Sequence, residues 1–146
     1  MMAKAEGSMV INRSASDIFA FLTDIEKGTE WQSELLESSK TSTGPTGLGT
    51  KIREVRRFLG RSIESVFQVT EFEPNQKLAF QSTVAPFPMR GQYVLEPEAE
   101  DGGTRVTFVI EADLSGAFKM AETIVVHTAR RQIDADLTKL KALLEA

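Results

Sequence analysis

The sequence predicts an α+β fold in which a curved antiparallel sheet presents one apolar face to a long C-terminal helix. Three observations lead to it. A helix-start signal lies near the N-terminus, apolar periodicity changes to two from Leu35 onward, and helical periodicity returns after Gly116 and runs to the end. Consecutive strands joined by hairpins give a sheet with one face to cover, and only the last helix is long enough to cover it. A strongly curved sheet over one helix tends to leave a gap of the kind small molecules occupy.

At 146 residues the chain fits a single domain, residues 1–146, with 1–7 expected as a flexible N-terminus. Ser14 is placed to cap a helix with Asp17 at its third position, and Ile18, Phe21, Leu22 and Ile25 follow at helical spacing. The sequence therefore predicts a helix over 15–24, after a short strand at "MVIN". After that helix, "EKGTEW" reads as one more irregular turn or short helix before the chain turns extended, with Gly28 supporting that break. "KIREVRRFLG" and "RSIESVFQVTEFEP" read as two strands turning near Leu59-Gly60, with Ile63, Phe67 and Val69 on one face and Val66 and Phe72 on the other. "TSTGPTGLG" is a loop. "KLAFQSTVAP", "GQYVLEPE" and "TRVTFVIEADL" continue the strands, with a turn at "EDGG", 100–103. In the last strand Val106, Phe108, Ile110, Ala112 and Leu114 share a face.

From Gly116 the pattern predicts one continuous helix. With Ile133 at the centre of its inward face, Leu137, Leu140, Leu144, Ala129 and Val126 fall within roughly 40°. Continued toward the N-terminus, the stripe meets Glu122, flanked by Phe118 and Val125. A carboxylate there must be hydrated or paired, because burying it alone is costly.

This order of elements, with "SASDIFAFLTDIEKGTEW" early, "GGTRVTFVIEADLSG" late and "DLTKLKALLE" at the end, resembles the START-like (SRPBCC) superfamily. Within it the chain is similar to the bacterial polyketide cyclase/dehydrase-like group over residues 8–146. The resemblance implies a helix-grip fold, also called Bet v1-like: a seven-stranded antiparallel sheet wrapped around the long helix and enclosing a hydrophobic cavity. Its members include lipid and sterol carriers, hormone receptors, aromatic polyketide cyclases and chaperone-activating domains, so membership leaves function open. The resemblance also implies that Trp31, the one tryptophan of the chain, lies near the cavity or its rim. The alternative is that it plugs the end of the core. Either way it should be buried.

Charge and composition narrow the partners. A net charge of -4 and a pI near 5.1 argue against nucleic acid or an anionic membrane, which need a positive surface. No stretch reads as a signal peptide or membrane span, so a cytoplasmic location without integral membrane association is expected. Monomer and homodimer both stay open. With no cysteine and one histidine, no metal site is expected. No phosphate-binding glycine pattern occurs; "GPTGLG" lacks the strand-to-helix setting, and no cofactor is expected. His127 falls about 120° from the centre of the inward stripe and is expected on a helix flank.

The ligand-contact candidates are Trp31, Phe67, Phe80, Tyr93, Phe108, Phe118, Glu122 and Val126; the aromatics among them can equally be plain core. "KIREVRRFLGRSIES" has two registers. One turns Glu54 and Arg56 inward with Ile52 and Phe58, the other Arg53 and Arg57 with Val55 and Leu59. The arginines can be surface partners of glutamates, or one can reach into a cavity and hold a carboxylate, phenolate or enolate. Catalytic residues are otherwise unknown, with Arg56 and Glu122 as candidates for such chemistry. "VAPFPMRG" suits a loop at a cavity mouth.

Three functions follow. The first is binding of a small hydrophobic or aromatic ligand, such as a lipid, quinone or polyketide-like molecule. The second is a cyclase or dehydratase-like enzyme using the same cavity. The third is a protein-interaction domain of the chaperone-activator type, which predicts a filled interior and an exposed patch.

Overall fold

The computed structural model describes residues 2–98 and 102–146. Seven strands form one curled antiparallel sheet: β1 (Ala3–Ile11), β2 (Leu35–Lys40), β3 (Lys51–Phe58), β4 (Arg61–Glu73), β5 (Lys77–Val84), β6 (Met89–Pro97) and β7 (Thr104–Ala112), in the order β1-β7-β6-β5-β4-β3-β2. Between β1 and β2 come α1 (Ala15–Leu22), a 3-10 turn (Ile25–Lys27) and α2 (Gly28–Trp31). The chain ends in α3 (Gly116–Met120) and α4 (Glu122–Glu145), and α4 packs along β1.

The local signals act as their chemistry requires. The Ser14 hydroxyl accepts from the Asp17 backbone N–H at 3.1 Å, capping α1. Ile18, Phe19 and Leu22 are its buried face, and Phe19 meets Phe72 edge-on at 5.3 Å. Leu59 and Gly60 both have positive φ, 52° and 75°, and join the Phe58–Arg61 pair as a two-residue hairpin turn. Of the expected 100–103 turn, residues 100 and 101 lie outside the described residues.

Three expectations need correction. The segment 3–7, expected as flexible, is the first half of β1, held by pairing of Ala3 through Gly7 with Ala112 through Phe108 and by burial of Ala5 and Gly7. At Gly7 the absence of a side chain lets α4 approach: a Cβ there would lie 2.6 Å from Ile133 Cγ2. The short turn and helix allowed for "EKGTEW" form as the 3-10 turn and α2, with Gly28 opening α2, where a Cβ would meet Leu35 at 2.9 Å. Phe72 joins the inner face. The β4–β5 register shifts between Val69 and Glu71, and that bulge reverses the alternation so that Phe72 pairs with Leu78 in the core. Finally, the helix after Gly116 is interrupted at Ala121, whose φ of -102° and ψ of 24° end α3 and precede α4.

Candidate functional site

The inner face of the sheet and α4 do not close on one another. Between them lies a cavity of about 220 Å³. Since about 10–15 Å³ of such space holds one water, there is room for a multi-ring organic molecule. Its wall is mostly apolar. Aromatic residues from different strands meet in a connected layer: Phe67 and Phe80 edge-on at 5.4 Å, Phe80 stacked on Phe108 at 6.2 Å, and Phe108 tilted against Tyr93 at 4.4 Å. Such ring pairs add stability beyond area burial and give a stiff wall. Gly91 leaves room for that layer, since a Cβ there would lie 2.9 Å from the Phe80 ring.

Trp31 closes the α2 side. It is only 3% exposed, lines the cavity and meets Tyr93 edge-on at 6.2 Å. It therefore combines the two placements that the sequence left open, being both core and cavity wall. Val126, Ala129 and Ile133 supply the α4 side. Pro86 and Phe87, from the loop between β5 and β6, line another part.

The register of β3 turns Ile52, Glu54, Arg56 and Phe58 inward. Arg53 stays outside, bonded to Glu64 and Glu37. Arg56 reaches a polar cluster assembled from β3, α4 and the turn after α2. Its Nε donates to Glu54 Oε1 at 3.4 Å, Nη2 donates to the side-chain oxygen of Gln32, and Nη1 lies 3.9 Å from Asp136 Oδ2. Asp136 Oδ1 in turn accepts from the Ser33 backbone N–H at 3.3 Å. Burial opposes the charge of Arg56, but Glu54 and Asp136 outweigh it and hold the guanidinium protonated.

Burial pushes the Asp136 carboxyl up to about 6, with Arg56 and the Ser33 N–H pulling the other way. Burial likewise raises the Tyr93 hydroxyl, which remains neutral beside Arg56 and Asp136. The cavity thus has an aromatic wall and one ionic corner holding a guanidinium, a carboxyl poised near neutrality and a phenol. A desolvated set of this kind can orient an oxygen-bearing ring and exchange protons with it.

Of the residues singled out in the sequence, Trp31, Arg56, Phe67, Phe80, Tyr93, Phe108 and Val126 line this cavity. Two do not. Phe118 is half-buried one layer back, its ring 4.9 Å from that of Phe87. Glu122 is a correction: its side chain is 42% exposed and accepts from Lys119 Nζ at 2.7 Å. Its angular position on the helix is inward, but it is the first residue of α4, and its carboxylate turns back to Lys119 and stays solvated. The acid of α4 that does enter is Asp136, which the sequence pattern did not single out. The available signal was its position three residues after Ile133 and beside Leu137, within a helical turn of the buried stripe. Glu54 and Gln32 were fixed only by the strand register and the turn after α2. His127 is exposed on the α4 flank.

Solved structures share this architecture. A protein from Thermus thermophilus superposes with a TM-score of 0.83 at 18% identity, covering 95% of this chain and 94% of its own. The Zhui aromatase/cyclase from a Streptomyces species gives 0.82 at 14% identity, over 99% and 94%. A START superfamily protein from Mycobacterium smegmatis gives 0.78 at 14%, over 97% of each chain. At these identities the likeness establishes the fold alone. No curated protein matches the sequence. The family model described as polyketide cyclase / dehydrase and lipid transport matches residues 2–145, nearly the whole chain, and this START-like chain belongs to that family.

Proposed function

We propose that the protein binds a small hydrophobic or aromatic molecule in the cavity between the sheet and α4. One observation carries the reading: an aromatic-lined space of about 220 Å³ persists inside an otherwise packed fold, with its enclosed charged groups gathered in one corner. A core serving only stability would be filled at normal packing density. The family's description as cyclase, dehydrase and lipid transport supports the same class of ligand.

The test is native mass spectrometry of the purified protein, followed by extraction and identification of co-purified molecules. Ala129→Phe, which would push a ring into the cavity, should lower occupancy while the fold is retained by circular dichroism. An apo mass together with no thermal shift across a panel of lipids, quinones and aromatic polyketides would overturn the reading.

A second reading, a cyclase or dehydratase-like enzyme, is favoured by the pairing of Arg56 with an Asp136 carboxyl held near 6 beside Tyr93. In that reading Arg56 donates hydrogen bonds to the reacting carbonyl and Asp136 moves the proton. Turnover of a polyketide-like substrate that disappears in Asp136→Asn, with ligand binding preserved, would support it. The interaction-domain reading required a filled interior, and the cavity counts against it.

A further inference from the structure

The charge balance of the ionic corner bears on which ligands the cavity takes. Five charged residues line it: Lys4, Asp24, Glu54, Arg56 and Asp136. Lys4 and Asp24 are exposed at its edges, and Asp24 is 3.8 Å from Lys27. The inner three are enclosed, with side-chain exposures of 24% for Arg56, 19% for Glu54 and 11% for Asp136. One guanidinium therefore stands between two carboxyl groups. All three of its nitrogens have a partner, in Glu54, the Gln32 side-chain oxygen and Asp136.

An arginine in a cavity would ordinarily be taken as the receptor for an anionic head. Here its charge is already answered. A ligand carboxylate entering the corner would lose its water, find a guanidinium held by Glu54, and stand against two like charges. An uncharged hydroxyl or carbonyl avoids that cost. It can accept from the N–H groups of Arg56 that its partners leave free, donate to Glu54 or Asp136, and meet the Tyr93 hydroxyl, while its ring lies against the Phe80–Phe108–Tyr93 layer.

We infer that the cavity selects uncharged, oxygen-bearing ring compounds and rejects their carboxylate counterparts, with Glu54 and Asp136 as the residues that exclude the anion. This rests on the cavity reading proposed above and adds its selectivity. Excluding a wrong ligand with a like charge is an economical route to specificity, because it costs little affinity for the right one.

The experiment is calorimetric titration of the wild-type protein near pH 7.5 with a matched pair, 2-naphthol and 2-naphthoate, which share a ring system and differ in charge. The naphthol is expected to bind at least about tenfold more tightly, the scale of one unfavourable charge contact. Glu54→Gln with Asp136→Asn, checked for folding by circular dichroism, should raise naphthoate affinity by about tenfold and narrow the gap. Naphthoate binding equally or more tightly to the wild type would overturn the selectivity and leave the cavity reading standing. Naphthol binding that Ala129→Phe leaves unchanged would place the ligand outside the cavity and overturn the selectivity as well. The wild-type comparison needs no variant, so a variant that fails to fold does not blur the result.

Discussion

Asp136 ties the stability of the protein to pH in a direction opposite to most acids. Folded, it keeps its proton to about 6, whereas the ordinary value is 3.8, so between these limits the native state binds the extra proton. Stability therefore falls as pH rises from about 4 to about 6, by an amount on the order of 2 kcal/mol from this group. Thermal melts across that range should show the slope in the wild type and lose this component in Asp136→Asn. Arg56 is the other half of the balance. Arg56→Met leaves Glu54 and Asp136 facing each other without a cation, and urea unfolding should report a loss of roughly 3–5 kcal/mol. Trp31→Ala should cost a similar roughly 3–5 kcal/mol, since the ring is 3% exposed and packed on Tyr93. At this scale the aromatic wall was legible in the sequence, because large apolar side chains on alternating strands must meet somewhere. The ionic corner was not. Either face of β3 offered two charged residues between apolar ones, and only the pairing with β2 and β4 decides which face turns inward.

Among the elements, the hairpin between β3 and β4 carries a local mismatch. Leu59 adopts a φ of 52°, a conformation that suits Asn or Gly better than a branched apolar side chain. Leu59→Asn should stabilise the protein by up to about 1 kcal/mol in chemical denaturation, and an unchanged midpoint would show that the turn tolerates leucine without strain. The strands themselves were readable wherever one face is buried and the other wet, as in β7. What escaped the sequence were departures from regular geometry. The bulge between Val69 and Glu71 moved Phe72 to the inner face, and no glycine or proline marks it. Ala121 interrupts the last helix although alanine is the best helix former, so propensity pointed the wrong way. The interruption comes where Phe118 turns to the ring of Phe87, a tertiary contact that single-sequence periodicity does not contain.

For the whole molecule, the seam between β1 and α4 sets how the cavity is enclosed. Gly7 allows the close approach of Ile133, Lys141 Nζ donates to the Val10 carbonyl at 2.9 Å, and Glu145 accepts from the Asn12 N–H at 2.7 Å. Gly7→Val should force the helix off the strand, costing roughly 1–3 kcal/mol and altering cavity occupancy together with stability. The same seam has a temporal meaning. β1 precedes the other strands but pairs residue for residue with β7, Ala3 opposite Ala112 and Ile11 opposite Thr104, and α4 closes over it only after β7 has been made. Pairings so distant along the chain are slow to find, typically taking milliseconds to seconds. A nascent chain lacking its last strand and helix would hold β1 without a neighbour, so the internal cavity is the last part of this fold to come into being.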